Sequence, residues 1–393
     1  MSTTTPTDLP ELTAEPFTVD DLLRDRSIHI IVCCGSGGVG KTTTAAALAL
    51  RAAEAGRDVC VLTIDPARRL AQAMGLSTLD NTPRQVPGVA GPDSRGSLNA
   101  MMLDMKRTFD EVVQSHADKE RATQILANPF YQALSSSFAG TQEYMAMEKL
   151  SQLHAQANRD GSWDLIIVDT PPSRSALDFL DAPARLGSFL DGRFIRILTA
   201  PARGAGRGLG RLVGAGFGLF AGVLTKILGA QLLADLGTFV GAVDTMFGGF
   251  RERADATYAL LADRQTAFVV VAAPERDALR EASYFVDRLQ AEGMPLAGLV
   301  VNRMQPLRGG DLTADRARAA AATLAEEGGD PMVIDLLTLH ARRRDESDRQ
   351  HTLTERFIAA HPDVPVVAVP ALGEDVHDLV GLRGIGERLS HGA

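Results

Sequence analysis

The 393 residues carry a net charge of −9, with 45% hydrophobic and 23% charged side chains. That is an ordinary globular composition with enough chain for a large core, and the negative balance argues against nucleic acid or an acidic membrane as partner. The start, MSTTTPTDLPELTAEPFTVDD, is acidic and polar. Residues 1–27 are therefore expected to form a flexible tail or docking arm instead of a signal peptide, and the protein to be cytoplasmic. Cys33, Cys34 and Cys60 lie in apolar runs without C-x-x-C spacing, so they read as reduced packing residues, neither a zinc clasp nor a disulfide framework.

In chain order, the apolar runs Ile28–Cys34, Val59–Ile64, Asn99–Asp104, Asp164–Asp169, Phe268–Ala273, Gly298–Asn302 and Val364–Val369 predict strands. Continuous apolar runs suit strands covered on both faces. Helical patterns at Thr42–Glu54, Ala278–Ala291 and Ala314–Glu327 fall between them. The alternation predicts an α/β fold with a doubly wound, mostly parallel sheet. We read 28–393 as one P-loop domain with helical segments at about 105–158 and an apolar helical insertion at about 181–262. Leu379–Arg383 reads either as a helix on a membrane surface or as one packed on the domain.

The insertion breaks the alternation. At helical spacing, Leu232, Leu236, Phe239, Val240, Val243, Met246, Phe247 and Phe250 form one stripe, backed by the small residues Ala234, Gly237, Thr238 and Gly241. Such a helix is either packed on both sides or receives something apolar. Arg203, Arg207 and Arg211 recur every four residues upstream, a face that suits a bilayer surface as the lesser alternative.

The sequence Gly35-Ser36-Gly37-Gly38-Val39-Gly40-Lys41-Thr42 fits G-x-x-x-x-G-K-[ST] with no mismatch, after a strand and before a helix. The phosphate-binding set is Gly35, Gly37, Gly38, Val39, Gly40, Lys41, Thr42 and Thr43. Glycines let backbone N–H groups turn onto phosphates at the helix N-terminus. Lys41 is expected to bridge β- and γ-phosphate oxygens of ATP, and the Thr42 hydroxyl to sit on Mg2+. Asp65 and Asp169 each end a strand. Either one singly is as well read as a helix cap. As a pair beside the loop they suggest one metal-linked group and one that orients the attacking water, giving Thr42, Asp65 and Asp169 as metal candidates and Asp65 and Lys41 as catalytic ones.

The loop GSGGVGKTTTA is similar to the deviant phosphate loop of one class of P-loop ATPases, and the chain resembles the family of arsenite-pump and tail-anchored-protein-targeting ATPases within it. Asp65-Pro66-Ala67 resembles the family's first switch, Ala139–Glu143 its P-G-x-D-E segment, and Asp169-Thr170-Pro171-Pro172-Ser173 its second switch. Val300-Val301-Asn302 resembles its V-V-N-Q strand, and Val369-Pro370-Ala371 with Glu374-Asp375-Val376 the segment that closes over adenine. The resemblance implies that Asp65 activates water, Asp169 serves Mg2+, Asn302 hydrogen-bonds the adenine and Pro370 lies over it. It also implies a dimer whose nucleotide state shapes an apolar groove, placed at the insertion, for a client helix.

The chain departs from the family in three places. Ser36 stands where the signature lysine would reach the partner's phosphates, which puts cross-subunit catalysis in doubt and raises pairing with a related subunit as an alternative to a homodimer. The zinc C-x-x-C is absent. The cysteines that collect metalloid have no counterpart, which argues against energising an arsenite pump. A nucleotide-binding regulatory subunit with low turnover, or the ATPase subunit of a transport system, remain the alternative readings.

Overall fold

A computed structural model of the chain describes residues 9–64, 69–89, 96–128, 131–132, 141–171, 252–306 and 310–391. The chain divides into two compact units: residues 1–102, 156–177 and 260–393, and residues 103–155 and 178–259.

The first unit is built on an eight-stranded sheet. Its strands are β1 (Ile30–Cys34), β2 (Asp58–Thr63), β3 (Arg84–Gln85), β4 (Ser97–Met102), β5 (Leu165–Asp169), β6 (Thr266–Ala272), β7 (Leu296–Met304) and β8 (Val366–Pro370). Their spatial order is β3-β4-β2-β5-β1-β6-β7-β8. All neighbours are parallel except β3 and β4. The seven expected strands are therefore present, with ends moved by no more than two residues. β3 was not expected: two exposed residues offer no periodicity to read. The strands β1, β5, β6 and β8 are buried along their whole length, as the absence of polar alternation in their sequences requires.

Helix α2 (Lys41–Glu54) follows the β1 loop, and its alanines are buried on nearly every side. Alanine favours the helix and lets neighbours approach closely. Leu382, Ile385 and Leu389 of the C-terminal helix Leu379–His391 join the same core, with Gly386 against Ala47 and Arg51 of α2. The C-terminal segment thus packs on the domain. Helix Arg276–Ala291 buries Leu279, Ala282, Phe285, Val286 and Leu289, close to the expected span.

Helix Ala314–Glu326 is capped by the Thr313 hydroxyl, which accepts from Arg316 N. Next comes the thirty-residue helix Pro331–Ala360, entered through Asp330 as cap and Pro331 in the first turn. Its run of charge, Arg342 to Glu346, hides any apolar stripe and kept it out of the expected elements.

The flexible arm expected over 1–27 is corrected for residues 9–27. Helix α1 (Val19–Arg24) forms, and Leu9, Phe17, Val19 and Leu23 are buried. Phe17 N donates to Val366 O at 3.0 Å and Val366 N to Glu15 O at 2.9 Å, so this stretch pairs with the edge strand β8. An acidic average masked the few apolar residues that supply the burial. Residues 1–8 lie outside the described set.

The second unit is helical where described. Helices Met105–His116 and Lys119–Ala127 are capped by Asp104 and Asp118, each accepting a backbone N–H at 2.9 Å. Tyr131 donates to Asp110 at 2.5 Å and meets Phe109 edge-on. Helix Thr141–Asp160 contributes Lys149, paired with Glu111 at 3.1 Å, and the buried Glu148, paired with Arg253 at 3.1 Å. Residues 181–251 of the expected apolar insertion, with its stripe Leu232–Phe250 and the arginines at 203, 207 and 211, lie outside the described residues.

Candidate nucleotide site

The loop from Gly35 to Gly40 leaves the C-terminal end of β1, the strand flanked by β5 and β6. This is where open α/β sheets bind ligands. Gly35 has φ +146°, and a Cβ there would stand 2.1 Å from the Val271 carbonyl of β6, so only glycine lets the loop pass. Gly40 has φ +99°, and a Cβ would meet Asn302 Nδ2 at 2.2 Å. Gly40 also forms the N-cap of α2 and supplies no side-chain oxygen to its first amides. An anion is the natural partner for such an end. Gly37 and Gly38 are exposed, whereas Val39 is buried and anchors the loop in the core.

Lys41 is 5% exposed, and its Nζ donates to the Ser36 carbonyl at 2.8 Å. The lysine is folded back across the loop it follows. Thr42 Oγ1 donates to Asp169 Oδ2 at 2.7 Å, and Thr63 Oγ1 donates to the same oxygen at 2.9 Å. Asp169 is fully buried at the end of β5, in register with Cys33 of β1 and Thr63 of β2. Thr170 Oγ1 fixes the next residue by donating to Cys33 O at 2.9 Å. A threonine hydroxyl and a carboxylate at hydrogen-bonding distance form a hard oxygen set that fits Mg2+, which keeps several waters and needs few protein ligands. Among the described residues there is no cluster of three or more His, Cys, Asp or Glu able to hold a metal.

Cys33 and Cys34 lie directly behind this site. Burial pushes the Cys33 thiol well up, Asp169 and Cys34 add to the rise, and Lys41 opposes it. Burial pushes Cys34 up to about 12, again opposed by Lys41. All three cysteines are buried, and none is joined in a disulfide. The Cys33 and Cys34 thiols stay protonated near neutral pH and act as packing.

On the other side, Asn302 Nδ2 donates to Val39 O at 2.8 Å and Arg303 Nη1 to Gly38 O at 2.9 Å. Arg303 has φ +66°, the single non-glycine residue with positive φ among the described ones. It sits in the irregularity of the β7–β8 ladder between Asn302 and Met304. A left-handed arginine costs about 1–2 kcal/mol. Pro370 ends β8 opposite Met304 and is buried, while Glu374 and Asp375 are exposed.

The structure thus brings Gly35–Thr43, Asp169 and Asn302 together at one sheet end. Asp65 lies outside the described residues, as do Pro66, Ala67, Ala139, Gly140, Pro172 and Ser173. Sequence reasoning missed Thr63 and Arg303. Thr63 carried a weak signal, a hydroxyl at the end of the apolar run before Asp65. Arg303 directly follows Asn302, where the resembled strand pattern has glutamine.

A family model described as Anion-transporting ATPase matches residues 28–320. The chain is similar to the ATPase GET3 of Malassezia globosa, 25% identical over 394 aligned residues that cover 100% of this chain and 98% of the relative. It is also similar to the ATPase GET3 of Podospora anserina, 28% identical over 290 residues, 73% of this chain and 76% of the relative. The ATPase get3 of Schizosaccharomyces pombe is 31% identical over 172 residues, 44% of this chain and 48% of the relative. The chain is a P-loop ATPase and belongs to the anion-transporting ATPase family.

Proposed function

We propose that this chain is an Mg-dependent, cytoplasmic ATPase that works as a dimer, and that its nucleotide state controls an apolar surface for a hydrophobic helical client or partner subunit. The observation that carries the phosphate chemistry is the Thr42–Asp169 pair, 2.7 Å apart beside an N-terminal helix end without a side-chain cap. In this reading Lys41 leaves the Ser36 carbonyl for the β- and γ-phosphates. The amides of Gly35 to Thr43 line the polyphosphate, and Thr42 with Asp169 places the ion. Held there by Thr42 and Asp169, the ion would supply positive charge to offset that of the phosphates. Asp65 holds the attacking water, and Asn302 and Pro370 receive the adenine. Asn302 has committed one amide N–H to Val39, which leaves its second N–H and its carbonyl oxygen for the base.

The client surface rests on the apolar stripe Leu232–Phe250 and on the resemblance to tail-anchored-protein-targeting ATPases. Among the described residues no helix is long and apolar enough to cross a membrane.

Ser36 favours a second reading, a nucleotide-binding regulatory subunit with low turnover, because a serine supplies no charge to a partner's phosphates. ATP turnover by the pure chain and by Lys41→Ala, across protein concentration, separates the two. We expect Mg-dependent turnover that rises with dimer formation and falls at least about 100-fold in the variant. Equal rates for the two proteins would leave the regulatory reading in place.

A further inference from the structure

The peptide units of the phosphate loop are held from behind by two adjacent residues of β7. Asn302 donates to the Val39 carbonyl and Arg303 to the Gly38 carbonyl, at 2.8 and 2.9 Å. Among the described residues every peptide bond is trans, and in a planar trans peptide the C=O and the following N–H point in opposite directions. A carbonyl drawn towards β7 therefore turns the next amide away from it. The Gly38 carbonyl sets the Val39 N–H, and the Val39 carbonyl sets the Gly40 N–H. Two successive amides aimed the same way form an anion-binding concavity.

We propose that Arg303 is a positioning residue for nucleotide binding: with Asn302 it locks consecutive carbonyls of the phosphate loop outward, and so aims the Val39 and Gly40 amides at the polyphosphate. The inference rests on the reading of this loop as the ATP site. It explains why β7 breaks its ladder there and why an arginine occupies a left-handed conformation that glycine would adopt without strain. A regular strand would send residue 303 to the opposite face from residue 302. The irregularity lets two neighbours reach the same loop. The guanidinium forms a charge-assisted bond to a neutral carbonyl, stronger than an amide would give. Its charge remains at the exposed surface, beside the loop that receives an anion.

The test compares Arg303→Ala, Arg303→Lys and Arg303→Gly with the wild-type chain, using ATP and tripolyphosphate as calorimetric ligands. Tripolyphosphate has no base or ribose, so it reports on the phosphate loop alone. Arg303→Ala is expected to weaken both ligands about tenfold, the loss of one hydrogen bond to a charged group. The KM for ATP should rise correspondingly with kcat within about twofold. Lysine keeps a cationic donor and should restore part of the affinity.

Arg303→Gly removes the guanidinium and the left-handed strain together. It should bind as weakly as alanine while its thermal midpoint stays level or rises, which separates the latch from a folding defect. Wild-type affinity in Arg303→Gly, or a loss for ATP without one for tripolyphosphate, would overturn the proposal. Absence of binding by the wild-type chain would overturn the phosphate-site reading, and the latch with it.

Discussion

The two ends of the first unit's sheet are built on opposite principles. At the N-terminal end, Arg57 is 1% exposed and every arm of its guanidinium is engaged. It donates to the carbonyls of Leu23, Asp25, Ile28 and Asp164 at 2.7–3.3 Å and to Asp164 Oδ1 at 2.9 Å. Arg26 joins the same aspartate and also reaches Gly56 O. One side chain thereby ties α1, the approach to β1, the start of β2 and the start of β5. At the C-terminal end Lys41 is held by the Ser36 carbonyl and Asp169 by the Thr42 and Thr63 hydroxyls, beside a loop of left-handed glycines, in positions that a ligand can take over. A buried charge tolerates both arrangements, because what it needs is partners. One end uses the partners to fix the sheet, and the other keeps them exchangeable for chemistry.

The sharpest way to break this comparison is Arg57→Met. Methionine fills similar volume but leaves four backbone carbonyls without their donor and Asp164 without its buried partner. Stability should fall by about 3 kcal/mol, read as a shift of the urea midpoint at unchanged slope. ATP affinity of the folded fraction should remain that of the wild type. A matching loss of affinity would mean that the two ends are coupled through the sheet, and the division drawn above would fail.

The converse experiment is Asp169→Asn. An amide still accepts from one threonine, so packing behind β5 is nearly preserved, but the negative charge is gone. We expect turnover at fixed Mg2+ to drop about 100-fold and to recover partly at high Mg2+, with stability changed by less than about 1 kcal/mol. A large loss of stability with no dependence on Mg2+ would make Asp169 a structural residue like Arg57.

How legible these two ends were differs for physical reasons. The phosphate loop is local: glycine spacing, one lysine and one threonine follow each other in eight residues, between a strand and a helix whose patterns are unmistakable. The parallel sheet was legible too, since strands buried on both faces lose polar alternation. Asp169 stood out as an acidic residue at the end of an apolar run. Arg57 did not, because its five acceptors come from residues 23, 25, 28 and 164, and nothing in the neighbouring sequence marks an arginine as buried. Arg303 was hidden for a similar reason. Its role depends on a register irregularity between β7 and β8 and on a carbonyl 265 positions earlier. The stretch 9–27 was misread because its few apolar residues find their partners only in β8 and the core.

The smallest of these effects tests the packing at the end of β1, just before the phosphate loop. Cys34 occupies the centre of the sheet, immediately before the loop, and burial raises its thiol to about 12 from an ordinary 9.0. Its proton is thus held more tightly in the folded chain than in the unfolded one. The contribution is fully present below 9.0, where both states are protonated, and is lost as pH climbs from there towards 12 while only the unfolded chain ionises. At about pH 10.5 the loss amounts to about 2 kcal/mol. Cys34→Ala removes the group, so its urea midpoint should fall less steeply between about pH 8 and 10.5 than that of the wild type. The slope is the informative quantity, because the small cavity left by alanine shifts both measurements equally. Parallel slopes would mean that water reaches the thiol, and that the chemistry at the loop extends further into the sheet than its packing implies.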